Sequence, residues 1–303
     1  MDTHQLRQFA VVARSESMTE AAHKLGVSQP SLSQSIKKLE GSLGVPLFTR
    51  DGRNLILNEY GKILLQQADI AFRSMDNAVK ELHDLSDYGQ RNIRFIARQP
   101  LGNLARMLET FHEQNPNIFA SCLTPNESMY ESDYDLELFA STAPQDEENT
   151  LHVCDEDYVL CVPRTHRLAK EPAVALRDLA GEKFVRSPAR SEMNDVIQGM
   201  FDEAGFKPKE SVNVSLYWDV LQFVEQGFGA CIATDISWFI GMDTDLVTIP
   251  FSDIQRTRGI YLKWPHRAYL SESSLAFVNF LCTEIRTFSD RRKLGKLVGR
   301  HVR

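Results

Sequence analysis

The sequence predicts a multi-domain α/β chain: a helical head carrying a winged helix-turn-helix, one long helix, and a region of alternating strands and helices. Three observations predict it. Through the first ninety residues apolar positions recur at helical spacing, interrupted by a single hairpin signal. From Asn58 to about Leu85 there is no proline, and the one glycine, Gly61, lies near the start. From Arg91 onward short apolar runs alternate with helical patterns. A length of 303 residues fits two or three domains and a core that needs no staples.

In the head, Leu6, Phe9, Ala10 and Ala13 mark a first helix. A second runs from Thr19, read as its N-cap, through Ala21, Ala22 and Leu25, and Gly26 breaks it. Ser28 caps a third, whose first turn tolerates Pro30. Leu32, Ile36, Leu39 and Leu43 form the buried stripe of this third helix, while Gln29, Ser33, Gln34 and Lys37 form the opposite face. Ala21 and Ala22 let two helices cross closely, and a helix, a tight turn and a helix with one polar face is the geometry that lays a second helix in the DNA major groove. An ordinary helical hairpin with a solvated face shares that pattern. Next, two apolar segments flank Asp51-Gly52, with Arg50 and Arg53 beside the turn, and this reads as a β-wing. The long helix, about 40 Å at 1.5 Å per residue, either packs against a partner or folds back on its own domain.

Strands are expected at Ile93–Ala97, Ile118–Leu123, Leu136–Ala140, Tyr158–Val162, Lys183–Val185, Val212–Val214, Ala230–Ala233, Leu246–Ile249 and Ile260–Leu262. Helices are expected at Leu101–Gln114, Asn194–Ala204, Trp218–Gln226 and Glu272–Arg286. Such alternation predicts parallel sheets with helices on their faces, and ligands of such sheets bind beyond the carboxyl ends of strands. That rule selects the loop from Arg98 through Gln99 and Pro100 to Gly102, the segment Thr124–Ser128, and the loop Arg186–Ser191 with Ser187, with Trp218 opening a helix nearby. If Arg98 and Arg186 point inward, an anionic effector follows; if not, both are solvated surface arginines.

The net charge of −7 is unevenly spread: residues 1–66 carry +2 and residues 67–303 carry −9. A mildly basic head on an acidic bulk fits local phosphate contact better than a broad basic groove. Five cysteines, no CxxC and no secretion signal argue against a disulfide framework. No apolar run reaches the length of a membrane span and the start has no signal core, so a cytoplasmic protein is expected. No catalytic motif emerges. GFGACI, Gly227–Ile232, lacks the third glycine of a dinucleotide loop, and there is neither a GxSxG nor a P-loop. His152, Cys154 and Asp155 do not converge on a metal, and Cys154 and Cys161 read as buried thiols rather than a redox pair. No enzyme, cofactor or metal site is expected. The tail RRKLGKLVGRHVR, with six Lys/Arg, reads as a frayed terminus or a further phosphate contact.

The segment SMTEAAHKLGVSQPSLSQSIKKLEGSLGVPLFTR resembles the winged helix-turn-helix of LysR-type transcriptional regulators. The matching positions are Ser17, Thr19, Ala21, Ala22, Leu25, Val27, Ser28, Gln29, Pro30, Leu32, Ser33, Ile36, Leu39, Glu40, Leu43, Gly44, Leu47, Phe48 and Arg50. The likeness continues sparsely through DYVLCVPRTHRLAKEPAVALRDLAGEKFV and DVLQFVEQGFGACIATD. It implies a DNA-binding domain over 1–58, a dimerising linker helix over 59–88, and an effector domain over 89–303. That last domain would be two-lobed and similar to periplasmic binding proteins, with lobe I about 91–161 and 267–303 and lobe II about 162–266.

The resemblance implies base and phosphate contacts at Gln29, Pro30, Ser33, Gln34 and the wing residue Arg53, with Ser31 beside them. Gln29 and Gln34 suit adenine, and Gln34 stands where the family often has Arg or Lys. Lys37, Lys38, Arg50 and Arg53 suit phosphates, with a structural role open for Arg50. Asn58 replaces the usual Thr and caps equally well. The implied function is a dimer or tetramer on pseudo-palindromic promoter DNA, with RNA polymerase as a further partner, no membrane, and a small-molecule effector in the interlobe cleft touching Arg98, Gln99, Pro100, Ser128, Arg186, Ser187 and Trp218. Between Cys122 and Asp135 the chain is shorter than the family pattern, which predicts a small, open or absent pocket. Two alternatives remain: a regulator with a vestigial pocket governed by abundance or a protein partner, and a solute-binding or enzymatic α/β domain with a helical head.

Overall fold

The computed structural model describes residues 2–51, 54–85, 91–123, 134–187, 191–214 and 216–301. The chain divides into two compact units, one formed by the head and long helix together with residues 265–271, the other by the α/β region.

In the first unit, α1 (Thr3–Ser15) starts in a capping box: Asp2 accepts from the Gln5 backbone N–H at 2.7 Å, and the Gln5 side chain accepts from the Asp2 N–H at 3.3 Å. The second helix, α2 (Met18–Leu25), is capped by Ser17, not Thr19, and ends at Gly26, whose φ of 65° is left-handed. Ser17 takes the role because its hydroxyl accepts from the Glu20 N–H at 3.3 Å, whereas Thr19 is already inside the first turn. Ser28 caps α3 (Gln29–Leu43), with Pro30 in its first turn. The wing is β1 (Phe48–Asp51) paired antiparallel with β2 (Asn54–Leu57), and Gly52 and Arg53 lie outside the described residues. Asn58 then joins the wing to α4 (Glu59–Leu85): it accepts from the Gly61 N–H at 2.9 Å and donates to the Pro46 carbonyl at 2.8 Å. Phe9, Val12, Ala21, Leu32, Leu39 and Leu47 form the core, closed by Ala68 and Phe72 of α4.

In the second unit the strands are β3 (Arg91–Ala97), β4 (Ile118–Leu123), β5 (Leu136–Ser141), β6 (Thr150–Pro163), β7 (Lys183–Arg186), β8 (Lys209–Asn213), β9 (Cys231–Thr234), β10 (Leu246–Pro250) and β11 (Thr257–Lys263). The helices are α5 (Leu104–Gln114), α6 (Glu192–Ala204), α7 (Tyr217–Glu225) and α8 (Glu272–His301). Strand β3 is parallel to β4 and β5, and β7 is parallel to β8. The expectation of parallel sheets holds for these pairs and is corrected for the rest: β11 runs antiparallel to β5 and β6, and β6 antiparallel to β9 and β10. The cause is β6. Its first half pairs with β11 in one sheet, and its second half pairs with β9 and β10 in another. Only its second half was expected from the sequence, because the first half, TLHVCDED, alternates too little apolar surface to read as a strand.

Two further boundaries move. Helix α5 begins at Leu104 rather than Leu101, since the Gly102 N–H donates to the Ser237 carbonyl at 2.6 Å and the Asn103 N–H to the Ile240 carbonyl at 2.8 Å, which holds these residues in a turn. Helix α8 runs on to His301, well past Arg286. The basic tail is therefore helical and not frayed through its first turns: Arg292 donates to Thr248 at 2.5 Å and lies over the Phe239 and Phe288 rings. A charged tail gives little apolar periodicity, so this packing was invisible in sequence.

A Cβ at Gly102 would lie 1.8 Å from the Ile240 carbonyl oxygen, a backbone atom with no freedom to withdraw. Gly102→Ala should cost about 3 kcal/mol, the upper end of overpacking, and lower the Tm by roughly 6–12 °C in thermal denaturation. An unchanged Tm would contradict this close approach.

Candidate functional site

Two sites emerge, one in each unit. In the first, α3 is two-faced. Leu32, Ile36 and Leu39 are buried, while Gln29, Pro30, Ser31, Gln34, Lys37 and Lys38 are exposed and Ser33 is half-buried. Among the described residues, Gln29, Gln34 and Lys37 donate no side-chain hydrogen bond to the protein. The helix is held from behind. Ser35 donates to the buried Gln8 of α1 at 2.5 Å, and Glu40 accepts from the Leu47 N–H at 2.7 Å, fixing the turn into the wing. A rigid helix with an unengaged amide and ammonium face has what base edges and phosphates require. Arg50 lies on β1 and its side chain is outside the described residues, as is Arg53 altogether. Along α4, Tyr60, Ile63, Ile70, Met75, Val79 and Leu82 remain exposed, an apolar surface unusual for a helix in a monomer.

The second site is a cavity of about 420 Å³ in the α/β unit. The β3 end gives Arg98, Gln99 and Pro100, β5 gives Phe139 and Ala140, β7 and its loop give Phe184 to Ser187, and α6, α7, β9 and Trp238 complete the wall. The cavity thus lies beyond the carboxyl ends of β3 and β7, between the two sheets that β6 joins. Across its mouth Glu192, at the start of α6, accepts from the Thr142 N–H at 2.8 Å and the Thr142 hydroxyl at 2.5 Å. Of the small, open or absent pocket expected from the sequence, absence does not hold: a volume of this size lies toward the lower end of the range of small-molecule pockets. The segment 124–133, and with it Ser128, lies outside the described residues.

Of the residues selected from sequence, Arg98, Gln99, Pro100, Arg186 and Ser187 meet at this cavity; Trp218 does not line it, and its neighbour Tyr217 does. Helical phase explains the exchange, since adjacent residues point about 100° apart. The two arginines are not unengaged cations. Arg98 donates to Glu137, and Arg186 donates to Gln198 at 3.0 Å with Glu210 at 3.6 Å. An anionic effector was expected if both arginines point inward; both line the cavity, each with an acidic side chain beside it.

Sequence reading missed Arg258, which also lines the cavity. Buried on β11, it donates to Glu156 on β6 at 2.7 Å, and Glu156 accepts further from the Ser237 N–H at 2.8 Å and hydroxyl at 3.0 Å. Both lie in strands, where a charge normally signals the solvent face, so only the register of β6 against β11 reveals the pair. Burial, with Glu156 adding to it, pushes the Cys154 thiol up to about 12, and burial holds Cys161 well above an ordinary thiol. Both thiols are thereby held in the protonated form, which disfavours them as nucleophiles.

Two family models match the chain: the bacterial regulatory helix-turn-helix protein of the lysR family over residues 3–62, and the LysR substrate binding domain over residues 92–285. The HTH-type transcriptional regulator YybE of Bacillus subtilis is 28% identical, covering 93% of this chain and 98% of its own. The RuBisCO operon transcriptional regulator of Allochromatium vinosum is 27% identical, covering 92% and 95%. In fold, the chain is similar to a full-length OxyR variant from Pseudomonas aeruginosa, with a TM-score of 0.59, 20% identity, and coverage of 94% and 95%.

The buried pair gives a stability prediction. Glu156→Leu leaves the Arg258 charge buried without its carboxylate and should cost about 3–5 kcal/mol in urea denaturation, while adding Arg258→Leu should recover most of that loss. Additive losses in the double variant would mean the two residues are not coupled.

Proposed function

The chain belongs to the LysR family of DNA-binding transcriptional regulators, and from that premise we propose how its two sites divide the work. The head, residues 1–58, reads promoter DNA. Helix α3 enters the major groove with Gln29, Pro30, Ser31, Ser33 and Gln34 toward base edges, while Lys37 and the wing residues Arg50 and Arg53 hold phosphates. What carries this reading is the unengaged polar face of α3 on a helix pinned from behind by Gln8 and Glu40. Residues 59–88 join two copies through the apolar surface of α4, which supports a dimer or tetramer on a pseudo-palindromic site.

Residues 89–303 sense a small molecule in the cavity. Ligand that favours one arrangement of the two sheets changes DNA affinity, and DNA changes ligand affinity by the same factor. The reading of a regulator with a vestigial pocket is weakened by a cavity of about 420 Å³. Matched families and relatives are transcriptional regulators, which leaves no support for an enzyme. Among the described residues no helix is long and apolar enough to cross a membrane. We assign the protein to the cytoplasm, where bacterial promoter DNA resides.

Footprinting on DNA upstream of the protein's own gene tests the head. Gln34→Ala should weaken protection of the specific site by about 5- to 100-fold and leave random DNA unaffected. Lys37→Ala should weaken both alike and reduce the salt slope by about one. Equal protection of specific and random DNA by the native protein and the Gln34→Ala variant would remove α3 as the reading element.

A further inference from the structure

Among the buried residues of α1, Gln8 is the polar one. It is 6% exposed, on the helix that contributes Phe9 and Val12 to the core of the head. Both ends of its amide are engaged. Oε1 accepts from the Ser35 hydroxyl of α3 at 2.5 Å, and Nε2 donates to Nε2 of His4, one turn earlier on α1, at 3.1 Å. An apolar side chain of the same length would fill this place without burying an amide, and exchanging a buried hydrogen-bonded group for an apolar one of the same shape can be nearly neutral for stability. What a satisfied buried hydrogen bond adds is direction and a single arrangement.

Direction matters on α3 because of where Ser35 stands. It lies on the flank of the stripe formed by Leu32, Ile36 and Leu39, about 100° around the helix from Gln34. Burial of the stripe fixes how deep α3 sits, but burial is non-directional. The Ser35–Gln8 bond, off to one side, resists rotation of α3 about its own axis. The Gln34 side chain ends about 6 Å from that axis, so a rotation of about 10° carries it through about 1 Å. Hydrogen bonds to base edges hold over about 2.7–3.2 Å, a window half as wide. Helix α1 is itself anchored. Arg14 donates to Asp69 of α4 at 2.5 Å, and the Arg7 guanidinium lies 5.3 Å from the centre of the Phe72 ring. The setting of α3 is therefore referred through Gln8 to α1, and through α1 to the long helix.

We infer that Gln8 is a specificity-determining residue that touches no DNA: through Ser35 it holds the rotational setting at which Gln29, Ser33 and Gln34 meet base edges. This rests on the reading of α3 as the base-reading helix. Phosphate contacts tolerate rotation better than base contacts do, because lysine stems are flexible and the ammonium donates in several directions. Loss of the tie therefore lowers discrimination between sequences before it lowers affinity for DNA as such. Gln8 acts as a positioning residue, and it acts on specificity rather than on stability.

The test is a competition titration on the full-length protein, with the site it protects upstream of its own gene set against a random duplex. Gln8→Met keeps the length and removes the amide. It should weaken specific binding about tenfold, the value of one base contact, and leave random binding within about twofold. Its Tm should stay within about 3 °C of the native value. Ser35→Ala should do the same, and the double variant should lose no more than either alone, because both changes remove one bond. Ser35→Thr keeps the hydroxyl and should keep native discrimination. Native discrimination in Gln8→Met overturns the proposal, as do losses that multiply in the double variant or a loss in Ser35→Thr equal to that in Ser35→Ala. Parallel falls in Tm and in binding to both duplexes also overturn it, leaving Gln8 a stability residue. Gln34→Ala separates this from the reading beneath it. If Gln34→Ala loses discrimination and Gln8→Met does not, α3 still reads and only the role of Gln8 falls. If the native protein itself binds both duplexes alike, reading by α3 falls and the role of Gln8 falls with it.

Discussion

Strand β6 serves two sheets at once, and the α/β unit depends on that double duty. Fourteen residues long, it exchanges β11 for β9 and β10 as neighbours partway along its length. Where a strand exchanges its neighbours, side chains can do the work of holding the new ones in place. Here the work falls to Glu156, which ties together β11 through Arg258 and the turn after β9 through Ser237. The same turn receives the Gly102 N–H at its Ser237 carbonyl, so the loop after β3 is fixed against it as well. One buried carboxylate thus holds three of the segments that frame the cavity. Such a pair contributes little net stability over an apolar core, but it admits only one register.

The head solves a different problem with shorter-range means. Each of its helices, and the long α4 after them, is started by a side-chain cap: Asp2, Ser17, Ser28 and Asn58 all satisfy backbone N–H groups that have no partner within the helix. Burial of Leu32, Ile36 and Leu39 on one face of α3 leaves the other face with no structural task. Freedom from structural work is what allows that face to differ between regulators without disturbing the fold, and it is the physical basis of a reading head on a constant scaffold.

Much of this was legible in the sequence. Ser28 with Pro30, Gly26 at a left-handed turn, the Asp51-Gly52 hairpin and the proline-free run of α4 each carry a local signal, and each element forms where that signal stands. That the loops after β3 and β7 meet at a cavity was also legible, because the rule concerns strand ends and not the partners of individual side chains. The failures have one origin. The first half of β6, the turn at Gly102 and the extension of α8 are all held by contacts distant in sequence, with Arg258, Ser237, Ile240 and Thr248 among the distant partners.

The sequence by itself determined the helical head, its two-faced third helix and the alternation of strands and helices after Arg91, since caps, glycine turns and apolar spacing act within a few residues. It also placed Arg98, Gln99 and Arg186 together, and they meet at one cavity. Only the tertiary structure decided what those residues offer there. The charge of an arginine is written in the sequence, but whether it is available depends on which carboxylate the fold brings beside it, and Glu137, Glu210 and Glu156 lie 39, 24 and 102 positions from their partners. Long-range pairing therefore sets an acidic side chain beside each of the three arginines, a placement that no local pattern encodes.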